Sequence, residues 1–175
     1  MSTRNSLRLL VLCASTLLAA QAHSQAPAPA APPAVPDAMP FDIPYGPAIS
    51  LERAKQVGDA AAAEARKRNW KMSIAVVDIA GDLVYLQKLD NTAYSSSRIA
   101  EAKARSSAIF RRPTKAFFDA AESGHPYVMS LPGVVAADGG IPIIENGKVI
   151  GAIGASGGTG AQDAVVSKAG ADTVK

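Results

Sequence analysis

The stretch GGIPIIENGKVIGAIGASGGTGAQD, which runs from Gly139 to Asp163, decides how this chain folds. Its Asn146-Gly147 step lies between two apolar runs, and this dipeptide is typical of the two-residue hairpin turn in which both central residues need positive φ. The strand predicted after the turn carries Gly151 and Gly154 among small and β-branched residues, so another backbone or a ligand can approach its face closely. We therefore predict a β-hairpin that leads into a glycine-rich turn and a closing helix.

The sequence ahead of this stretch predicts helices and a second hairpin. Strands that are joined by hairpins and covered by helices favour an antiparallel α+β domain over a doubly wound parallel sheet. Asp78 and Asp90 flank the earlier hairpin, where carboxylates either cap turns or act in catalysis. The predicted elements are a helix capped by Ser50, strands over 72–79 and 83–89, a helix over 98–110, a short helix over 115–121 capped by Thr114, and a loop over 122–140.

The first 22 residues have the pattern of an export signal. Arg4 and Arg8 precede an apolar stretch of about a dozen residues, which is too short to span a bilayer, and a small-residue cleavage site follows. We expect the mature protein to start at His23 and to be periplasmic or secreted. Residues 23–47 are rich in Ala-Pro steps and predict a flexible, extended segment, and residues 48–175 predict one domain.

Composition excludes several classes of function. The lone cysteine, Cys13, lies in the predicted signal, so the mature chain would have no thiol for disulfides, zinc fingers, iron–sulfur clusters or thiolate catalysis. The whole chain has a net charge of +3, which becomes +1 once Arg4 and Arg8 are removed. Aromatic residues are few and no basic stripe accompanies them, so we do not expect nucleic acid as a partner.

The glycine-rich turn allows two interpretations. Backbone amides at Gly157, Gly158 and Thr159 open the closing helix and can bind a carboxylate or a phosphate. Asp163 in the first turn of that helix can instead cap these amides itself and stabilise the helix dipole. The segment has neither the third glycine of a dinucleotide motif nor the lysine of a P-loop.

Two further groups of residues are candidates for ligand binding. Arg111 and Arg112 precede Pro113-Thr114, where two guanidinium groups can bind paired carboxylates or can be ordinary cations at the end of a helix. His125 is the one histidine of the predicted domain and lies in the loop SGHPYVMSLPG. It is either a ligand to a bound group or a polar surface residue.

Three ordered segments resemble the GlcG/HbpS-like family, also called the haem-binding or haem-degrading family, which includes the C-terminal domain of PduO-type proteins. The resemblance extends over nearly the whole predicted domain from Ile49 onward. The segments are SIAVVDIAGDLVYLQKLD (Ser73 to Asp90), AEAKARSSAIFRRPT (Ala100 to Thr114) and GGIPIIENGKVIGAIGASGGTGAQD (Gly139 to Asp163).

This resemblance implies a profilin-like, three-layer α/β/α fold with a five-stranded antiparallel sheet, assembled into homo-oligomers. It also implies haem as a cofactor, with Thr114 as an axial oxygen ligand to the iron and with Arg111 and Arg112 suited to the propionates. His125 is a further cofactor-binding candidate. Haem degradation would need oxygen activation at iron, and the sequence has no proximal histidine in a recognisable motif, so we favour binding over turnover.

The leading hypothesis is an exported, oligomeric haem-binding protein that captures, buffers or senses haem and has a membrane sensor as a further partner. The alternative is an enzyme or accessory protein that binds a small carboxylate metabolite through Arg112 and the glycine-rich helix start. A purely structural oligomer is the third hypothesis.

Overall fold

The computed structural model describes residues 35–174, which form four α-helices, a 3-10 helix and four strands. The predicted signal at 1–22 and the Ala-Pro-rich residues 23–34 lie outside this range. None of the helices in the described part is long and apolar enough to cross a membrane. The elements are α1 Leu51–Lys67, β1 Ser73–Val77, β2 Leu83–Lys88, α2 Ser96–Phe110, α3 Lys115–Glu122, the 3-10 helix Pro126–Ser130, β3 Gly140–Glu145, β4 Lys148–Ser156 and α4 Gly160–Ala171.

The strands form one antiparallel sheet in the order β2-β1-β4-β3. The α+β class is therefore confirmed, but the prediction of five strands is wrong, since residues 35–174 contain four. The segment ahead of α1 comes nearest to a fifth strand: Gly46 donates to the Val149 carbonyl over 2.8 Å and Val149 donates to that of Pro44 over 2.9 Å. Tyr45 and Val149 form one isolated parallel bridge, and Pro44 has no N–H to extend it towards the N-terminus. The Ile49 amide donates to the Ile150 carbonyl over 2.7 Å, but this contact does not form a second bridge.

Both predicted hairpin turns are present. Asn146 and Gly147 have φ values of 49° and 74°, as the turn with two positive φ angles requires. In the first hairpin, one carboxylate oxygen of Asp78 accepts hydrogen bonds from the amides of Ala80 and Asp82, at 2.9 and 3.0 Å. This contact confirms the structural interpretation of Asp78, because the carboxylate is engaged in closing the turn.

Helices cover the sheet on both faces. Helix α2 packs on one face against β1, β3 and β4, and helices α1 and α4 pack on the other face. Larger aliphatic side chains fill the α1/α4 side, among them Val57, Ile74 and Ile153, whereas the α2 side is formed almost entirely by alanine and valine. The layer of side chains between α2 and the sheet is therefore thinner than the layer on the α1/α4 side, and α2 lies very close to the sheet.

Two glycines make this close approach possible. A Cβ atom at Gly154 would overlap the carbonyl oxygen of Ala100 and lie 2.6 Å from the amide nitrogen of Ala104. A Cβ atom at Gly140 would overlap the carbonyl oxygen of Lys103. The small residues of α2 thus pack against the sheet.

We predict that Gly154→Ala destabilises the protein by about 1–3 kcal/mol, because the added methyl group must push the backbone of α2 away from β4. Thermal or urea unfolding measures this change. A matched control is Gly160→Ala, where the nearest atom is the Asp138 side chain at 3.2 Å and the glycine is in the first turn of α4. Equal stability losses in the two variants would contradict the packing argument.

Candidate ligand-binding cleft

A cleft of about 410 Å³ opens beside the start of α3, next to the Pro113-Thr114 step. Its walls are mostly carbon, and the ring of Phe118 is 44% exposed there. Two charged residues, Lys115 and Asp138, also line it. The remaining lining residues come from the loop before β3 and from the first turn of α4, and are Ala136, Ala137, Gly160 and Ala161.

Lys115 gives the cleft a cation. Its ammonium group contacts both carboxylate oxygens of Asp119, one turn along α3, at 2.6 and 2.7 Å. This hydrogen bond is the main cause that raises the pKa of Lys115 above its ordinary value. The side chain is exposed, so it stays charged and can turn towards an acidic group in the cleft.

Thr114 lies beside the cleft but points into the protein. Its side chain is fully buried, and its hydroxyl oxygen accepts a hydrogen bond from the Gly140 amide over 2.9 Å. The Thr114 amide donates to the Gly140 carbonyl over 3.0 Å. The prediction that this hydroxyl caps α3 is wrong: Thr114 holds the N-cap position but makes no side-chain cap bond, because its hydroxyl ties α3 to β3 instead.

Arg111 and Arg112 hold the segment that precedes α1. Arg111 donates to the Ile43 carbonyl over 2.9 Å and stacks over the Tyr45 ring at 5.4 Å. Arg112 stacks over Phe41 at 4.0 Å. Burial, and then the charge of Arg111, lower the pKa of Arg112, but a guanidinium stays protonated in proteins. Both arginines therefore have structural partners, and a role at haem propionates stays a prediction.

His125 is exposed and does not line the cleft. It follows α3, where its amide donates to the Ala120 carbonyl over 2.9 Å, and its ring packs edge-on to Tyr127 with 6.0 Å between centroids. Its Nδ1 atom lies 3.4 Å from the hydroxyl of Ser123. Within residues 35–174, no three His, Cys, Asp or Glu side chains converge to hold a metal ion.

The glycine-rich turn caps α4 from within the chain. The Gly158 amide donates to Asp163 over 3.0 Å, and the Thr159 amide donates to the Gln162 side chain over 2.9 Å. The Thr159 hydroxyl accepts in return from the Gln162 amide, which completes a capping box. These bonds support the capping interpretation of Asp163. Anion binding at Gly157, Gly158 and Thr159 stays a prediction, and it would have to displace these contacts.

Sequence reasoning missed the partner of Asp163. The ammonium group of Lys103 on α2 lies 2.7 Å from its carboxylate, and the two side chains are only 4% and 3% exposed. Lys103 also donates to the Ala155 carbonyl over 3.4 Å. Burial raises the pKa of Asp163, although Lys103 and the Gly158 amide offset part of this effect.

A sequence signal for this ion pair did exist. Lys103 occurs at the same helical face as Ala100, Ala104 and Ser107, which are all buried. A lysine on a face of small residues needs an acidic partner across the contact. The lining of the cleft had no comparable signal, because alanines and glycines in loops do not mark a binding surface.

These features define an α+β protein with an antiparallel sheet, helices on both faces and an apolar cleft beside the start of α3. Residues 49–172 match the family model described as "Haem degrading protein HbpS-like", and the chain belongs to this HbpS-like family. The family assignment made from the three sequence segments is thereby confirmed.

The chain is also similar to individual relatives. Protein GlcG of Escherichia coli strain K12 is 40% identical over 108 residues, which are 62% of this chain and 81% of GlcG. A crystal structure of a Streptomyces reticuli HbpS double mutant is 27% identical with a TM-score of 0.69, covering 84% of this chain and 99% of that one. PduOC, solved as a complex with haem, is 23% identical with a TM-score of 0.66, covering 73% and 96%, and this likeness concerns the fold.

We predict that Lys103→Met destabilises the protein by about 3–5 kcal/mol, because it leaves the Asp163 carboxylate buried without its cation. The double variant Lys103→Met/Asp163→Asn should recover part of this loss, since it removes the uncompensated charge. Urea unfolding of both variants measures the difference.

The surface pair Lys168–Asp172 provides the control, with the same residue types and the same 2.7 Å separation. Lys168→Met should cost less than about 1 kcal/mol, because both side chains are solvated. A double variant that is less stable than Lys103→Met alone would contradict this account of the buried pair.

Proposed function

We propose that this protein is an exported, homo-oligomeric haem-binding protein that captures, buffers or senses haem. The observation that carries the proposal is the apolar cleft beside the Pro113-Thr114 step, in a chain of the HbpS-like family. The family description names haem as the group acted upon, and PduOC, which shares the fold, was crystallised with haem.

The cleft suits part of a porphyrin. Its volume of about 410 Å³ falls within the usual range of small-molecule sites, and its alanines, glycine and the Phe118 ring offer flat apolar surface. Lys115 at the same cleft can pair with a propionate. A second subunit would cover the part of the macrocycle that this cleft leaves exposed, which is one reason to propose an oligomer.

We propose either Thr114 or His125 as the iron ligand. These two residues differ in burial and in their position relative to the cleft. Thr114 is next to the cleft, but its hydroxyl is buried and already accepts from Gly140. Its use as a ligand in the cleft would require the buried side chain to turn, which would take the hydroxyl away from the Gly140 amide, and an unpaired buried amide is costly. His125 is exposed and needs no such rearrangement, but it lies outside the cleft lining.

Bound haem would supply an iron centre that can change oxidation state or bind a small ligand. The residues of this chain would contribute apolar walls and a cation for the propionates. We propose binding rather than turnover, because haem degradation needs oxygen activation at iron and the sequence has no proximal histidine in a recognisable motif.

Export and partners extend the proposal. Export depends on residues 1–22, which lie outside the described structure, and contact with a membrane sensor is proposed from export and family alone. Exposed Ile99 and Ile109 on α2 offer apolar surface for subunit contacts.

The alternative function is carboxylate binding through Arg112 and the start of α4. It is less favoured, since Arg112 stacks on Phe41 and the Gly158 and Thr159 amides have internal acceptors.

We predict that hemin binds to the mature protein, residues 23–175, with a shift of the Soret band. Phe118→Asp should weaken binding at least tenfold, because it puts a second negative charge into the cleft that already holds Asp138. The matched control is Tyr94→Asp, the same kind of change at a 95% exposed ring outside the cleft. No Soret shift, or equal effects of the two variants, would refute haem binding in this cleft.

The iron ligand is tested by two further variants in the same titration. Thr114→Val keeps the shape of a fully buried side chain but removes the hydroxyl, and Thr114→Ser keeps the hydroxyl as the control for packing. If Thr114 is the ligand, only the valine variant changes the Soret position. If His125 is the ligand, His125→Ala changes it and both Thr114 variants leave it unchanged.

A further inference from the structure

A second cleft lies between the end of α1 and the end of β2, away from the haem site proposed above. Its volume is about 350 Å³, large enough for a small metabolite. Residues from three places in the chain line it: Arg66 from α1, Trp70 and Lys71 from the connection to β1, and Gln87, Lys88 and Asp90 from β2 and the turn after it. None of them lines the cleft beside α3.

This second cleft is basic. Arg66, Lys71 and Lys88 contribute three cations, and Asp90 is the acidic residue in the lining. Among residues 35–174, none of these three cations forms a salt bridge; Lys71 instead donates to the neutral Asn69 side chain over 2.7 Å. The helix dipole explains a cation in the last turn of α1, and so accounts for Arg66. It does not account for lysines from a loop and from a strand that meet at the same place.

Gln87 adds a hydrogen-bond acceptor that the protein does not use. Its side-chain oxygen is buried, and it has no hydrogen-bond partner within the described residues. Gln87 lies on β2 opposite Ile74, so the backbone of the sheet fixes its position at the cleft. A buried acceptor without a donor is unfavourable, and protein structures contain few of them. The oxygen itself has almost no accessible surface, although Gln87 lines the cleft. Rotation of the side-chain amide would bring the oxygen to the cleft, where a ligand hydroxyl or N–H group would satisfy it.

Trp70 supplies an apolar part of the lining. It is half-buried against the core on the α1 side of the sheet, and the Arg68 guanidinium stacks over its ring at 5.0 Å. The cleft thus combines cations for negative charge, an acceptor for one donor and a carbon surface for a short chain.

We propose that this cleft binds a small organic dianion that carries a hydroxyl group, of the hydroxydicarboxylate class. The carboxylates pair with Arg66, Lys71 and Lys88, and the hydroxyl donates to the side-chain oxygen of Gln87 once its amide group has turned towards the cleft. The site does not depend on haem binding, because the two clefts share no lining residue.

Two compounds that differ by one hydroxyl group test the proposal. L-malate and succinate have the same chain length and the same two carboxylates, and only malate can donate to Gln87. Trp70 is the one tryptophan in the sequence, so its fluorescence reports binding at this cleft. For the haem-free mature protein we expect malate to change the Trp70 fluorescence with a dissociation constant at least tenfold lower than that of succinate.

Variants separate the two parts of the site. Gln87→Leu should raise the malate constant to that of succinate and leave the succinate constant unchanged. Lys88→Gln should weaken both compounds, and Lys55→Gln, an exposed lysine near the start of α1, should weaken neither. Because the malate and succinate comparison uses the unmodified protein, the test stands even if a variant fails to fold.

Several results would overturn the proposal. Equal affinity for malate and succinate would show that Gln87 selects no hydroxyl group, and the absence of any fluorescence change with either compound would show that the cleft binds neither. Inorganic phosphate that competes as well as malate would reduce the site to a general anion patch. Hemin binding measured separately stays unaffected by these outcomes, so failure here is distinguishable from failure of the haem proposal.

Discussion

The close contact of α2 with the sheet is the constraint on which the rest of this structure depends. Gly154 and Gly140 leave no side chain between the strands and the helix, so backbone atoms of Ala100 and Lys103 rest directly on β4 and β3. At this depth the Lys103 side chain can reach past the strand to Asp163 at the start of α4. The contact therefore connects α2, the sheet and α4 through one buried charge pair.

The cleft beside α3 results from this arrangement. One wall is the start of α4, which the Lys103–Asp163 pair and the capping box hold in place. The other wall is the start of α3, which Thr114 joins to Gly140 through two hydrogen bonds. Gly140 also lies against the backbone of Lys103, so contacts at the same point on β3 hold both walls in position. A change in the distance between α2 and the sheet would alter the width of the cleft without a substitution of any residue in its lining.

Local patterns predicted local structure well. The Asn146-Gly147 turn, the Asp78 turn and the capping of α4 depend on residues within a few positions of each other, and all three occur. The fifth strand came from the family resemblance and not from a local pattern, and it was wrong. The capping role of the Thr114 hydroxyl was wrong because its partner comes from a distant segment. The Gly140 amide, 26 residues away, competes for the Thr114 hydroxyl, and no local signal marks such a partner.

The same distinction between local and distant contacts explains why the sequence did not decide the roles of Arg111 and Arg112. A helix C-terminus and a carboxylate site require the same residue types at Arg111 and Arg112, and only the position of Phe41 and Tyr45, about 70 residues earlier, shows how the chain uses them. Most of the fold therefore follows from periodicity and turn chemistry, whereas the residues that line either cleft follow from tertiary contacts alone.

Internal hydrogen bonding separates the structural polar residues of this protein from those that are available to a ligand. Thr114, Asp78, Asp163 and the amide of Gly158 are conspicuous in the sequence, and each has an internal partner that a ligand would have to replace. Gln87 has no such prominence in the sequence, but its buried oxygen lacks a donor within the described residues. Because a satisfied buried group loses a bond when it turns to a ligand and an unsatisfied one gains a bond, the energetic balance favours binding at residues of the second kind. The basic cleft therefore depends on one unsatisfied acceptor and on cations that form no salt bridge within residues 35–174. The apolar cleft depends on surface shape and on walls that internal bonds hold in place.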